Sequence, residues 1–307
     1  MNTKIQRLAA AVCAAIGIGA AGSAGAAIVV DQWTLDLSGI DGLVNPTTIT
    51  GIDQIQFTGV AHTQQVIDAN GGAPDATIEV GDISRTRGLL SATSFIGSGG
   101  VIPLTGLNNV FELTFTFDVG GRTTFVNGPD SNFTHLAAGS AAGDTGLLEI
   151  WVDNFAAGGD AISNQTTGAG YSDGVKIATF MVQAGLGGVF STATFNGSDD
   201  AQFELLSALP GIFFDKNGVD LSTKIGELLL VTASQFDADQ SNDGIPDVAC
   251  PTSGVIGGGG LASAIDFCAQ EDGRASLQLQ VPEPASLALV GLAMAGLGAR
   301  RRQSNKR

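Results

Sequence analysis

The chain has 307 residues, 44 of them glycine, with 14 basic against 30 acidic residues and a formal net charge of −16. Such a field repels phosphate, whose binding needs clustered Lys and Arg, so nucleic acid is excluded as a partner. With three cysteines, two histidines, two tryptophans and one tyrosine, few routes remain to nucleophilic or metal-based catalysis.

The N-terminus begins with Lys4 and Arg7, continues through an apolar run over residues 8–21, and reaches the small residues Ala24-Gly25-Ala26. This is the layout of a secretory signal peptide, residues 1–26, with the mature chain starting at Ala27. Residues 282–307 also stand apart, which leaves a body of residues 27–281, enough for one large domain or two small ones. That body holds seven basic and 29 acidic residues, a net charge of −22.

Along the body, glycine pairs such as Gly71-Gly72, Gly99-Gly100 and Gly120-Gly121 separate short runs rich in Val, Ile, Thr and Phe. Residues 111–119 alternate, with Phe111, Leu113, Phe115, Phe117 and Val119 on one face and Glu112, Thr114, Thr116 and Asp118 on the other. The pattern predicts a half-buried strand, turned by Gly120-Gly121 into a second strand over 122–126. Residues 147–152 repeat it, with Leu148, Ile150 and Val152 opposite Leu147, Glu149 and Trp151. Further strands are expected over 175–182, 189–195, 201–206 and 276–281, and helical period only over 226–234 and 60–70. Many short strands with frequent turn signals predict an all-β fold, a β-sandwich or jelly-roll-like body over residues 27–235. The sixteen phenylalanines read as its core rather than as a ligand groove.

Residues 236–281 are acidic and glycine-rich, and are expected to complete the body as a disulfide-stapled appendage. Cys13 leaves with the signal peptide, so Cys250 and Cys268 remain. In an exported protein such a pair reads as one disulfide, contributing about 3 kcal/mol by loop-entropy reasoning. Two thiols without neighbouring histidines make a poor zinc set. The glycine run over 257–260 has no Lys-Ser/Thr after it, so it is not a phosphate cradle.

Asp237, Asp239, Ser241, Asp243 and Asp247 place oxygens at alternate positions, with Gly244 allowing a sharp turn between the last two. Hard Ca²⁺ takes six to eight oxygens from such carboxylates, hydroxyls and carbonyls. Counted from Asp239, Gly244 falls where an EF-hand has its glycine, but Cys250 stands where the bidentate Glu is required. The string instead resembles the short calcium repeats of the thrombospondin type 3 kind, over this segment alone. The other reading is an acidic loop of Asx turns that is merely solvated.

The C-terminal segment reads Val281-Pro282-Glu283-Pro284, then an uncharged apolar run over 285–299, then Arg300, Arg301 and Arg302. That run is short of the roughly 20 residues that span a bilayer. Its arginines would stay on the cytoplasmic side, the layout of a transient membrane anchor closed by a C-terminal hydrophobic helix. The Pro-Glu-Pro triplet, the run and the arginines together resemble the PEP-CTERM sorting signal of Gram-negative bacteria, in which a membrane processing enzyme, an exosortase, reads the triplet. The resemblance implies export, transient insertion in the inner membrane, and delivery to the cell surface or extracellular matrix.

Several body segments are similar to the flocculation-associated PEP-CTERM proteins. They are Phe111-Glu-Leu-Thr-Phe115, Leu148-Glu-Ile-Trp-Val-Asp153, Thr167-Gly-Ala-Gly-Tyr-Ser-Asp-Gly174 and the stretch from Leu209 to Leu221. That likeness implies a non-catalytic matrix protein that aggregates cells together with exopolysaccharide. It supplies no catalytic residues.

Catalytic motifs are missing: there is no Gly-x-Ser-x-Gly elbow and no His-Glu-x-x-His, and His62 and His135 are far apart. Counting carboxylates leaves a glycosidase pair open, but only Trp33, Trp151 and Tyr171 could stack on sugar besides Phe. No enzymatic activity is expected. The alternative function is a secreted calcium-dependent carbohydrate-binding module, and third comes a secreted hydrolase.

Overall fold

Runs of β-branched and aromatic residues, each soon broken by Gly, Asn or Pro, favour extended backbone over helix. The computed structural model describes residues 26–40, 48–75, 77–104, 106–140, 143–154, 163–242, 247–251 and 265–281. Its strands are β1 (Ala26–Val29), β2 (Trp33–Asp36), β3 (Thr48–Ile52), β4 (Gln54–Ile67), β5 (Ile83–Gly97), β6 (Gly100–Val101), β7 (Phe111–Asn127), β8 (Asp130–His135), β9 (Leu147–Asn154), β10 (Val175–Val182), β11 (Gly187–Ser191), β12 (Asn196–Ala208), β13 (Phe213–Phe214), β14 (Leu228–Asp237) and β15 (Asp266–Val281). The only helix among the described residues is a 3₁₀ turn, Leu221–Thr223, capped by the Asp220 carboxylate. The chain divides into residues 29–279 and a second unit made of its two ends. Of that second unit, only 26–28 and 280–281 are described, as the outer ends of β1 and β15.

The all-β class holds. Within residues 29–279, though, the strands do not make the two facing sheets of a sandwich. They join in one 12-stranded antiparallel sheet that closes on itself, while β13, β2 and β3 form a small second sheet. Closure runs β4–β5–β7–β8–β11–β12–β14–β15 and back to β4, each neighbour antiparallel. Two long strands are shared along their length. β7 pairs with β9 over residues 111–118 and with β8 over 121–127. β12 pairs with β11 over 196–199 and with β10 over 203–208. The β9–β10 pair therefore fills the same gap at one end of the barrel that β8–β11 fills at the other. Eight strand positions give a lumen just wide enough to be filled by side chains or to hold one small molecule.

Alternation decides what fills it. Leu113 and Phe115 of β7, Leu148, Ile150 and Val152 of β9, Phe203 and Leu205 of β12, and Leu228 and Leu230 of β14 belong to the main core. The small sheet adds Trp33 and Leu35, with Phe213 6.2 Å from Trp33 by ring centroids. Each fully buried Leu, Ile or Phe contributes about 1.5–3 kcal/mol. The outward side carries exposed or half-exposed Lys176, Asp200, Gln202 and Glu149, the reverse of a membrane barrel, whose apolar side faces out.

Aromatic rings lie over glycines on the neighbouring strand at three seams: Phe117 over Gly88, Phe236 over Gly197 and Phe57 over Gly273. A Cβ at any of the three would overlap the ring, so the glycine is what lets strand and ring approach.

Three sequence expectations are corrected. Residues 60–70 and 226–234 are not helical; they fall mainly on β4 and β14. Both strands bury consecutive residues, Val60, Ala61 and His62 in one and Leu228, Leu229 and Leu230 in the other. Cover on both faces erases the alternation that marks a half-exposed strand. Gly120-Gly121 is not a turn but lies inside β7, and the chain turns at Gly128-Pro129 between the paired Asn127 and Asp130, with Gly128 at φ +62°. Glycine at the first position of a two-residue loop, at positive φ, suits a tight hairpin turn. The strand expected over 189–195 ends at Ser191, and Phe195 takes φ +50° in the following turn. The C-terminal helix lies outside the described residues.

Candidate functional site

Over residues 111–115, strand β7 is covered on both sides, contrary to the half-buried strand expected. Its outward Glu112 and Thr114 are each 1% exposed. The segment that follows β9 lies over them: the Ser163 amide donates to the Glu112 carboxylate at 3.1 Å, and Thr114 Oγ1 donates to the Tyr171 carbonyl at 2.8 Å. Burial, with Asp153 and Asp173 nearby, pushes the Glu112 carboxyl up to about 7, against the hydrogen bonds from Ser163. Further along the same face Asp118 accepts a bidentate pair of bonds from Arg85, Nε at 2.7 Å and Nη2 at 2.6 Å. That bond, with the Asp118 charge, raises the guanidinium above its ordinary value despite partial burial.

The lumen wall at the β8–β11 end is polar on one side and aromatic on the other. His135 of β8 shares a 2.9 Å hydrogen bond with Asp199 of β12, and Ser234 of β14 lies 2.7 Å from Glu271 of β15. Burial pushes the Glu271 carboxyl up to about 7, Ser234 and His135 pulling against it and Asp199 adding to the rise. For His135 burial pulls down, but the charge and hydrogen bond of Asp199 and the charge of Glu271 outweigh it, so the imidazole is raised overall. Facing them, Phe190 stacks on Phe267 at 4.9 Å and packs near Phe236 at 6.0 Å and Phe195 at 6.1 Å. The spacing of these residues gave no hint of the cluster, because they come from five strands, β8, β11, β12, β14 and β15, and the turn at Phe195.

Of the calcium-type residues, Asp237, Asp239, Ser241 and Asp247 are brought into one loop at the end of β14; Asp243 lies outside the described residues. The Asp247 carboxylate accepts the amides of Gln240 at 2.8 Å and Ser241 at 3.0 Å, and its own amide donates to the Ala238 carbonyl at 2.7 Å. Asp237 Oδ1 accepts the Asp239 amide, and Ser241 Oγ donates to Asp239 at 3.3 Å. Asp239 is 1% exposed. The loop is thus braced by its own carboxylates, as Asx turns are, and those oxygens are of the hard type that suits Ca²⁺.

Cys250 and Cys268 form the disulfide, with Cα atoms 5.3 Å apart. Cys268 lies on the outward side of β15, directly across from His62 of β4, whose Nε2 is 2.7 Å from Asp266. A His62 ring nitrogen and both sulfurs fall within 4.8 Å of one another, but sulfurs bonded to each other are not thiolate ligands. The disulfide therefore ties the acidic segment to the barrel wall; β15 itself is an integral strand of the main sheet, not part of an appendage. Pro282, Glu283, Pro284, Arg300, Arg301 and Arg302 lie outside the described residues, as does the expected signal peptide up to residue 25.

Comparison with known proteins bears on one end of the chain. Residues 280–302 match the PEP-CTERM protein-sorting motif. That motif marks a protein sorted to the exterior by way of an exosortase-type enzyme. No curated protein matches the chain. Among solved structures, two of Ail, the attachment invasion locus protein of Yersinia pestis, were retrieved, one of them in complex with the heparin analogue sucrose octasulfate. They are 7% and 4% identical, with a TM-score of 0.13, and cover 74% of this chain and 98% of theirs. A likeness that weak supports no inference.

Proposed function

Taking the sorting motif at residues 280–302 as the premise, we propose that this is an exported, non-catalytic protein of the cell surface or extracellular matrix that supports flocculation and biofilm formation with exopolysaccharide. The apolar run over 285–299 holds the precursor in the inner membrane with Arg300, Arg301 and Arg302 on the cytoplasmic side, and the exosortase then releases the body. The observation that carries the reading is the motif itself, joined directly to the last strand of a disulfide-bonded barrel. A disulfide suits an oxidising destination. A body charge of −22 suits bridging to anionic polymer by divalent cations rather than direct contact, which like charge opposes at low salt. In this reading Ca²⁺ is held by the oxygens of Asp237, Asp239, Ser241, Asp243 and Asp247, ordering the loop that faces the polymer.

The test compares a parent strain with one lacking its exosortase, by intact mass and cell fraction of the native product and by settling of the cells. Expected is a parent species starting near Ala27, ending near Pro284 and located on the surface or in the matrix. In the mutant, an uncut species should stay with the inner membrane and flocculation should fall. A full-length C-terminus in an unchanged fraction would refute the sorting step. Correct sorting without any settling defect, on deleting this protein alone, would refute the matrix role.

A further inference from the structure

The barrel is filled by core side chains at its β9–β10 end but keeps a cavity of about 100 Å³ at its β8–β11 end. Inward residues of all the strands in that part of the ring bound it. Much of the wall is aromatic: Phe117, Phe133, Phe190, Phe236 and Phe267. On β4 the wall also carries Gln65, which is 6% exposed and has neither its side-chain oxygen nor its side-chain nitrogen hydrogen-bonded. Buried primary amides are ordinarily satisfied, because leaving both ends unpaired carries the full desolvation penalty. An amide with both functions open, turned to a cavity with phenylalanine walls, is half of a recognition pair.

The chemistry of the missing half follows from the lining. Gln65 offers donors and an acceptor together, so its best complement carries an acceptor and a donor side by side, as an amide, lactam or urea does. The acidic residues of the wall are already engaged. Asp199 is held by His135, and Asp82 accepts the amides of Ala69 at 2.8 Å and Glu79 at 2.6 Å. Glu271 is held against Ser234. They leave no unsatisfied counter-charge for a cation and repel an anion, so the occupant is neutral. The space, about 100 Å³, is two-thirds of the roughly 150 Å³ apolar cavity that takes a whole benzene, but it is not fully closed, so a ring enters it with part of its edge outside.

We propose that the lumen at the β8–β11 end is a binding site for a small neutral molecule with a ring-sized apolar body and one amide-type group. The body packs on the phenylalanines and the amide pairs with Gln65. This site is independent of how the chain is sorted, so its test uses purified full-length protein and stands whatever becomes of the matrix role.

The probe is benzamide, titrated by calorimetry beside toluene, which lacks the amide, and benzoate, which is anionic. Expected is saturable benzamide binding about tenfold tighter than toluene, with a negative heat-capacity change, and no measurable benzoate binding. Gln65→Leu keeps the volume while removing the unpaired amide. That variant should melt no lower than the parent and should lose the preference for benzamide over toluene. Should it fail to fold, contacts between benzamide protons and the Phe190 and Phe267 rings in the parent, read by nuclear Overhauser effects, decide the matter. Absence of saturable benzamide binding overturns the proposal, as does a complex in which ordered waters occupy Gln65 and the probe lies elsewhere. An undiminished preference in Gln65→Leu overturns it too.

Discussion

Glu271 enters the lumen from β15 with Ser234, Asp199 and His135 around it, and burial holds its carboxyl at about 7 instead of 4.5. Between those values the folded chain keeps a proton that the unfolded chain has lost. Stability from this group is therefore complete below about pH 4.5 and disappears as pH rises through about 7. His135 is also raised in the fold, so it acts in the same direction, its contribution fading as pH climbs past its folded value. Glu112, likewise at about 7 on the opposite side of the wall, adds a second carboxyl of the same sign. We expect Glu271→Gln to keep the hydrogen bond to Ser234 and to cut the loss of stability between pH 5 and 8, by about 3 kcal/mol at most. Urea unfolding at a series of pH values measures it. A variant with the parent's pH slope would assign the effect to Glu112 and His135 instead.

At the scale of strands, the barrel depends on seams where residues far apart in sequence must approach closely, and the β5–β7 seam gives a direct test. Gly88 pairs with Phe117 there, and any Cβ would run into the ring. Gly88→Val is expected to cost about 1–3 kcal/mol by overpacking, and adding Phe117→Ala should recover part of that loss by removing the obstacle. Gly99→Ala, with open space around the position, should change little. Additive losses in the double variant would mean the ring and the glycine do not meet. This seam also shows which parts of the fold were legible. The alternations over 111–119 and 147–152 name strands that exist, because one residue in two faces a dense core. Gly128-Pro129 is where the chain turns, and the glycine pair at 120–121 drew the expected turn away from it. Pairing of residues 83–91 with 114–122, which closes the sheet, leaves no local trace. Neither does the lumen wall, since Gln65, His135, Asp199 and Glu271 come from four strands. Phenylalanine as core was right for Phe95, Phe115, Phe180 and Phe203. Phe190, Phe236 and Phe267 instead stand around the cavity, and nothing in their spacing separates the two sets.

For the molecule as a whole, seven basic residues against 29 acidic ones between Ala27 and Val281 set up a self-repulsion that cations relieve in two distinguishable ways. Diffuse screening responds to ionic strength and hardly distinguishes one divalent ion from another. A built site responds to the ion: Ca²⁺ accepts an irregular set of six to eight oxygens, whereas Mg²⁺ demands a near-ideal octahedron and keeps its water. In the reading proposed above, Asp237, Asp239, Ser241, Asp243 and Asp247 supply such an irregular set; of these, Asp247 accepts two backbone amides. At constant ionic strength, Ca²⁺ at a hundredfold excess over its Kd should stabilise the protein by about 2.7 kcal/mol. For a body of this size that is a rise of roughly 5–10 °C in Tm, with Mg²⁺ giving much less. Asp239→Asn with Asp243→Asn keeps the shape and hydrogen-bonding oxygens while removing two charges, and should abolish the difference between the ions. Equal responses to Ca²⁺ and Mg²⁺, retained in the double variant, would put the cations on the acidic surface at large. Matrix bridging would then follow from net charge alone, and any polymer of the same sign would be joined as readily as exopolysaccharide.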